Sequence, residues 1–256
     1  MREAALIPIL TYHGFVRNKE MTDGLYTLGE ETFRAQMAYL AEHGFHVISL
    51  KETLGKSLPE KPVVITFDDG MESDFTVASP ILKHHRFVAT FFVNPGTLDR
   101  PGYLSTDRLR QMHREGMEIG SHGFNHLFLT RLDDKTLRYQ IIASKKKLEA
   151  ILENPVSFFS VPRGRYNRRI LDVAQEAGYL AVCTSDIGFN SSRSEPFRLQ
   201  RWAMKRSYTV SDFASIVEGH PKTRLRLKVR LKQAAHRLLG HTLYEAARNR
   251  ILGEAT

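Results

Sequence analysis

The chain has a single cysteine, Cys183, among its 256 residues. No intramolecular disulfide can form and a thiolate-rich zinc site is excluded, so any bound metal has to sit on histidine and carboxylate. No apolar run approaches the ~20 residues that a membrane-spanning helix needs. The opening Met1-Arg2-Glu3-Ala4-Ala5 lacks the long apolar core of a secretory signal. Cytoplasmic residence is therefore the expectation, although a chain trimmed of its leader would read the same. Internal repeats and low-complexity linkers are also missing. So is an even spread of charge: the net +9 gathers in Lys222, Arg224, Arg226, Lys228, Arg230, Lys232, Arg237, Arg248 and Arg250, opposed only by Glu245. The remainder is nearly neutral. The basic balance thus describes a C-terminal stretch rather than a nucleic-acid-binding fold, and nucleic acid is not an expected partner.

What the chain does have is a globular composition, 42% hydrophobic, sufficient at this length for a substantial core. Strand-like stretches run from Leu6 to Tyr12, His46 to Leu50, Val63 to Phe67, Val88 to Val93, Met117 to Ser121, Val156 to Ser160, Tyr179 to Thr184 and Arg198 to Lys205. Helical patterns separate them: 30–43 ended by Gly44, 74–85 interrupted at Pro80, 107–115 capped by Thr106, about 133–152, and one from an Asn167 cap to near Gly178. Roughly seven β-then-α units predict a parallel α/β architecture, either a barrel or an open doubly wound sheet. Beyond it, Lys222 to Arg250 admits a basic helix with Leu227, Leu231, Ala234 and Leu238 on one face. That face can lie on an anionic membrane, as a peripheral contact, or pack on the domain with its cations solvated.

The chemistry is concentrated in two places. Asp68 and Asp69 stand side by side after an apolar strand, in Val63-Val64-Ile65-Thr66-Phe67-Asp68-Asp69-Gly70. Adjacent carboxylates repel, and are tolerable where a cation or a hydrogen-bond network separates their roles: one binds metal while its neighbour stays free as a base. His122 and His126, in Ser121-His122-Gly123-Phe124-Asn125-His126, are four residues apart, so a helical turn or a tight loop can aim both imidazoles at one point. One Asp with two His makes three ligands and leaves a position for water, the pattern of a catalytic metal site. Taken singly, Asp-Asp-Gly reads as a turn and His-x-x-x-His as a solvated helix face. Together they follow consecutive predicted strands, as does the loop Pro162-Arg163-Gly164-Arg165-Tyr166, which collects all of them at the end of a sheet where α/β folds place chemistry.

Thr66-Phe67-Asp68-Asp69-Gly70, the His122/His126 pair and Phe159-Ser160-Val161-Pro162-Arg163-Gly164 resemble the polysaccharide deacetylase, or NodB-homology, family, over about residues 5 to 218. Leu10-Thr11-Tyr12-His13 resembles the first strand of its poly-N-acetylglucosamine branch. The resemblance implies a distorted (β/α) barrel of seven or eight strands over 1–220, followed by the basic helical extension 221–256. It implies a hydrolase that removes N-acetyl groups from an amino-sugar-containing carbohydrate, with Asp69, His122 and His126 holding a divalent metal, usually Zn2+. Asp68 would be the general base, the backbone N–H of Arg163 would meet the oxyanion, and His13 would protonate the leaving amine.

Two departures from the family pattern stand out. Ser160 occupies the position where the wider family carries an arginine that tethers the base, and Arg163 replaces a more usual aromatic residue. Arg201, in Leu199-Gln200-Arg201-Trp202, could supply the missing guanidinium; either arginine could position Asp68 or meet an anionic substrate group. The family's late Leu-x-x-His element is not evident, and His220 is poorly spaced for it. Pro162, Tyr166 and Trp202 are the candidate substrate contacts, Tyr12 and Phe124 further aromatics for a sugar face, and Asp186 a partner for an arginine or a turn cap. Three substrate readings stay open: a polymer such as poly-N-acetylglucosamine, a lipid-linked or oligosaccharide precursor at the inner membrane face (acetylated or formylated), or no turnover at all in a carbohydrate-binding domain that kept the metal cluster.

Overall fold

Apolar stretches buried on both faces dominate the sheet. In the computed structural model, which describes residues 6–17, 24–55, 57–223, 225 and 227, the elements in chain order are β1 (Ile9–Tyr12), β2 (Phe15–Val16), β3 (Leu28–Gly29), α1 (Glu30–Glu42), β4 (His46–Val47), α2 (Leu50–Thr53), β5 (Pro62–Phe67), α3 (Ser79–His84), β6 (Thr90–Val93), α4 (Thr106–Arg114), β7 (Glu118–Ser121), α5 (Asp134–Arg138), α6 (Ser144–Leu152), β8 (Phe158–Ser160), α7 (Arg168–Glu176), β9 (Ala181–Cys183), β10 (Trp202–Ala203) and α8 (Val210–Val217). One compact unit ends at Gly219 and a second comprises 220–256. The basic helix expected over 222–250 lies almost wholly outside the described residues. No helix among the described residues is long and apolar enough to cross a membrane.

Every residue of β1, β5 and β6 is buried, as expected for parallel strands covered by helices on one side and packed barrel interior on the other. The strands pair in the order β10-β1-β5-β6-β7-β8-β9, all parallel, with β4 joined to the start of β5. Past β9 the sheet curls back. Cys183 bridges Leu199 in parallel, with Leu199 N–H donating to Val182 O and Thr184 N–H to Leu199 O, each at 2.9 Å. Leu199 leads directly into β10, which lies beside β1, so one short segment touches both edges of the sheet. This is the distorted (β/α) barrel, and it resolves the choice between barrel and open sheet. Phe67 and Phe91 stack at 4.4 Å on neighbouring strands, and Tyr12, Phe15 and Phe33 pack against Phe67. Tyr12 is fully buried with its hydroxyl donating to Gln36 Oε1 at 2.8 Å. It is a core residue, not a sugar platform.

Local chemistry moves several expected boundaries. The strand expected over 46–50 stops at Val47 because Ser49 and Glu52 form a capping box that starts α2. Ser105, not Thr106, caps α4, its hydroxyl accepting from Arg108 N–H at 3.2 Å. Pro80 does not break its helix: residues 72–84 stay helical through it, with a π turn over Asp74–Ala78 directly before it. The long helix expected over 133–152 runs unbroken from Asp134 to Leu152, its segments α5 and α6 joined by a second π turn, Tyr139–Ala143. Asn167 caps α7 as expected, accepting from Ile170 N–H at 3.1 Å.

Candidate metal centre and active site

The backbone itself separates the two carboxylates. After β5 the chain turns sharply through Asp69 (φ 81°) and Gly70 (φ 68°), a left-handed pair that Asp tolerates better than most side chains. Asp68 is left 4% exposed, its carboxylate in the grip of Arg201, while Asp69 faces His122 and His126.

His122, at the end of β7, uses Nδ1 to donate to Ser160 O at 2.8 Å, which fixes the tautomer and leaves the Nε2 lone pair free. His126 reaches the same point from a loop rather than a helix, through Gly123 (φ 73°) and its own left-handed backbone (φ 56°). The loop is pinned by two buried amides. Asn94, just after β6, donates to the carbonyls of His122 and of Gly123, the latter at 3.1 Å. Gln140, in the π turn between α5 and α6, accepts from the N–H groups of Phe124 and Asn125 at 3.0 and 2.9 Å.

Asp69 Oδ1 lies 3.4 Å from His122 Nε2 and 3.2 Å from His126 Nε2. These are the ligand–ligand separations of a tetrahedral site: zinc at ~2.0–2.2 Å from each donor puts neighbouring donors about 3.3 Å apart. Asp69 Oδ1 is buried and accepts no hydrogen bond, and together the three residues form a group able to hold a metal ion. The electrostatics agree. Burial opposes charge on Asp69, yet His122, with His13 and His126, holds its carboxyl well below the usual range. Burial and neighbouring His122 push His126 down to about 4, which keeps it neutral and available as a ligand. Burial also disfavours charge on His122, but Asp68 and Asp69 outweigh it, so the cluster draws positive charge to one place.

Arg201 holds Asp68 with two parallel bonds, Nη1 to Oδ1 and Nη2 to Oδ2, both 2.8 Å. Its own position is fixed by Nε donating to Thr184 O at 3.0 Å and Nη2 to Ser160 Oγ at 2.8 Å. Burial raises the Asp68 carboxyl; the Arg201 guanidinium, with His122, more than reverses this and keeps it below the usual carboxylate range. His13 follows β1 with its ring stacked on Tyr26 at 5.1 Å and a buried Nδ1 that has no partner. Burial lowers its pKa while Asp68 and Asp69 pull it up, which places His13 in the same electrostatic cluster. Pro162 seats the next loop against the histidine loop: a Cβ on Gly123 would lie 3.2 Å from Pro162 Cγ. Arg163 follows in left-handed backbone (φ 58°, ψ 7°), its guanidinium 4.2 Å from the centre of the Phe128 ring. Asp69, His126 and Arg163 are thus three strained non-glycine residues in one site, the usual location for stored backbone strain.

Residues 55–182, half of the chain, match the polysaccharide deacetylase family. The chain belongs to this family. It is 35% identical over 127 residues to the peptidoglycan-N-acetylglucosamine deacetylase of Bacillus cereus, covering 49% of this chain and 57% of that protein. It is 27% identical over 183 residues to the poly-beta-1,6-N-acetyl-D-glucosamine N-deacetylase of Staphylococcus aureus, covering 64% of this chain and 62% of that one. The chain therefore spans less than two thirds of either relative. Among solved structures, the Streptococcus pyogenes deacetylase PplD in complex with acetate superposes with a TM-score of 0.77 at 25% identity, covering 86% of this chain and 100% of the other.

Ser160, where the resemblance leads one to expect an arginine, contacts both Arg201 and Asp68 through its hydroxyl. Tyr166 stands half-buried, its hydroxyl donating to Asp186 Oδ2 at 2.5 Å and accepting from Arg198 Nε at 3.1 Å, so Asp186 positions a tyrosine. Trp202 is not brought to the site. It is 4% exposed in β10 and packs on Phe189 at 5.6 Å, with no ring face left for a sugar, which corrects the expectation of a substrate contact. Asn94 and Gln140 were missed by sequence reasoning. Asn94 carried a weak signal, a polar residue directly after an apolar strand; Gln140 carried none, because its role depends on a π turn inside a helical pattern.

Proposed function

We propose that this polysaccharide deacetylase family member is a metal-dependent N-deacetylase acting on a carbohydrate that contains an N-acetylated amino sugar. The observation that carries the reading is the division of two adjacent carboxylates, Asp69 to a pair of imidazoles and Asp68 to Arg201. The names of the Bacillus cereus and Staphylococcus aureus relatives support N-acetylglucosamine as the sugar. Asp69, His122 and His126 would hold a divalent ion, zinc in our reading, which when bound polarises a carbonyl and lowers the pKa of a water from ~15.7 toward ~7.

Asp68 takes the proton of the attacking water. The Arg201 grip keeps it ionised and aimed, so it serves as an acceptor and not as a donor. The backbone N–H of Arg163 meets the oxyanion that forms on the acetamide carbon, since the loop after Pro162 is turned by two left-handed residues beside the histidine loop. His13 delivers a proton to the departing amine from among the same carboxylates. Acetate and a free amino sugar leave.

The test is acetate release from chitooligosaccharides and poly-N-acetylglucosamine fragments by zinc-reconstituted protein and its Asp68→Asn variant. The expected result is release by the wild type and a loss of about 100-fold or more in the variant. Equal release by both would remove Asp68 as base. Zinc binding without release from any acetylated or formylated sugar would replace the hydrolase reading with a carbohydrate-binding one.

A further inference from the structure

The loop after β8 is held in an unfavourable shape from both sides. Arg163 and Gly164 are consecutive left-handed residues (φ 58° and 68°), closed by the Gly164 N–H donating to Val161 O at 2.9 Å. Glycine takes that conformation at no steric cost, whereas an arginine keeps it only where its surroundings leave no alternative. On one side, Val161 N–H donates to Cys183 O at 3.1 Å and Pro162 packs on Gly123 of the histidine loop. On the other, the constraint comes from the segment between β9 and β10. A Cβ on Gly164 would collide with the Ser185 side chain, so the loop lies directly on residue 185.

Tyr166 then ties the loop down. Its hydroxyl donates to Asp186 Oδ2 at 2.5 Å and accepts from Arg198 Nε at 3.1 Å, and the Arg198 guanidinium carbon lies 5.6 Å from its ring centre. Burial and the Asp186 carboxylate push the phenol up, so it keeps its proton and stays a donor. A hydrogen bond to a carboxylate is roughly twice as strong as one between neutral groups. Asp186 is also tied to the other half of the site. Its backbone carbonyl accepts from Arg201 N–H at 2.8 Å, its N–H donates to Thr184 Oγ1 at 3.2 Å, and Thr184 O accepts from Arg201 Nε at 3.0 Å. Tyr166, Asp186, Arg201 and Asp68 therefore form a bonded series from the strained loop to the carboxylate that Arg201 grips.

We propose that Tyr166 and Asp186 form a latch that holds the Arg163 backbone in its left-handed turn, setting the oxyanion-binding N–H at a fixed place relative to Asp68. Tyr166 is then a positioning residue and not a sugar contact. Water activation at Asp68 and oxyanion binding at Arg163 serve the same carbonyl carbon, where a misplacement of about 1 Å can cost about 100-fold in rate. The inference rests on the deacetylase reading for the oxyanion, but the latch itself is open to a measurement that needs no turnover.

The experiment compares the full-length zinc-loaded chain with Tyr166→Phe, Asp186→Ala and the double variant. Tyr166→Phe keeps the ring, and Asp186→Ala keeps the backbone carbonyl that takes the Arg201 N–H. Amide hydrogen exchange is measured first, then acetate release from a chitooligosaccharide and from an aryl acetate. The expected result is exchange over residues 163–166 about tenfold faster or more in each variant, with residues 122–126 unchanged. On amide and ester alike kcat should fall about 10–100-fold, with KM and the acid limb of the pH profile nearly unmoved, because the Arg201 grip on Asp68 persists. The double variant should lose no more than either single one, since the two residues act through one bond. Faster exchange in a protein that releases no acetate from any ligand upholds the latch while rejecting the deacetylase reading. Unchanged exchange overturns the latch, and a higher KM at unchanged kcat overturns it in favour of a substrate contact at Tyr166.

Discussion

Arg201 and Asp68 form a two-pronged ion pair, 2.8 Å at each prong, beside the Asp69–His122–His126 cluster and almost wholly out of solvent. They are 133 residues apart in the chain, and the pair exists because the segment after Leu199 closes the barrel against β1. Removing one partner of a buried pair leaves the other charge uncompensated, so Arg201→Ala should cost about 3–5 kcal/mol of stability. It should also move the acid limb of the kcat/KM profile to higher pH, because burial then raises the Asp68 carboxyl without its main opponent. The native pair's stabilisation is present above the ordinary carboxylate pKa and lost as pH falls through the depressed folded value, so acid unfolding of the variant should be less steep. Unchanged activity and pH profile would remove Arg201 from the machinery.

His13→Gln separates proton donation from the rest of the reaction. Acid catalysis of this kind contributes about 10²–10⁴-fold, so amide turnover should drop by that order. Hydrolysis of an aryl acetate, whose leaving group needs no proton, should be far less affected. As the proposed acid His13 would act in its protonated form, and burial lowers its pKa from the usual histidine range against the pull of Asp68 and Asp69. The alkaline limb of the wild-type profile should therefore vanish in the variant; equal losses on amide and ester would refute the role.

The separations around Asp69 predict one tightly held divalent ion per chain. At 100 to 1,000 times Kd such an ion contributes about 2.7–4.1 kcal/mol, roughly 5–15 °C in Tm for a domain of this size. Chelation should lower the melting temperature of the wild type by that amount and leave His126→Ala unmoved. A chelator-insensitive Tm, with no metal found by elemental analysis after reconstitution, is the adverse outcome.

Gln140 offers a test of the support around the site. Its Oε1 accepts from the N–H groups of both Phe124 and Asn125, so Gln140→Leu, which removes both bonds, should cost about 1–3 kcal/mol in all. Metal affinity by titration calorimetry should fall about 10–100-fold, as is usual when a ligand's outer support is lost. Gln140→Glu keeps an acceptor and should recover most of the affinity. Similar affinities in wild type and the leucine variant would mean that the histidine loop holds itself.

Much of this site could be read along the chain because its members sit at strand ends in short motifs. Asp68 and Asp69, His122 and His126, and the Pro162 loop each come after a stretch read as a strand, and parallel strands bring their C-terminal ends to one rim. Trp202 shows the limit of the same reasoning. Next to Arg201 in sequence, it has its ring buried against Phe189 while Arg201 holds the Asp68 carboxylate, since neighbouring residues along an extended chain face opposite ways. The cap at Thr106 and the ends of several strands were misplaced by one or a few residues, and the break expected at Pro80 does not occur, because competing caps and π turns are decided by packing rather than by propensity.

The order of apolar strands, the double carboxylate and the paired histidines determined the fold class and the chemistry, since those depend on residue type and short-range spacing. Which carboxylate faces the imidazoles, which arginine pairs with Asp68, how Gln140 anchors the histidine loop, and that three arginines lie against Phe128 were decided only by tertiary structure. Each of these depends on side chains from distant segments meeting at one barrel rim, and on left-handed backbone at Asp69, His126 and Arg163 that no local preference would select.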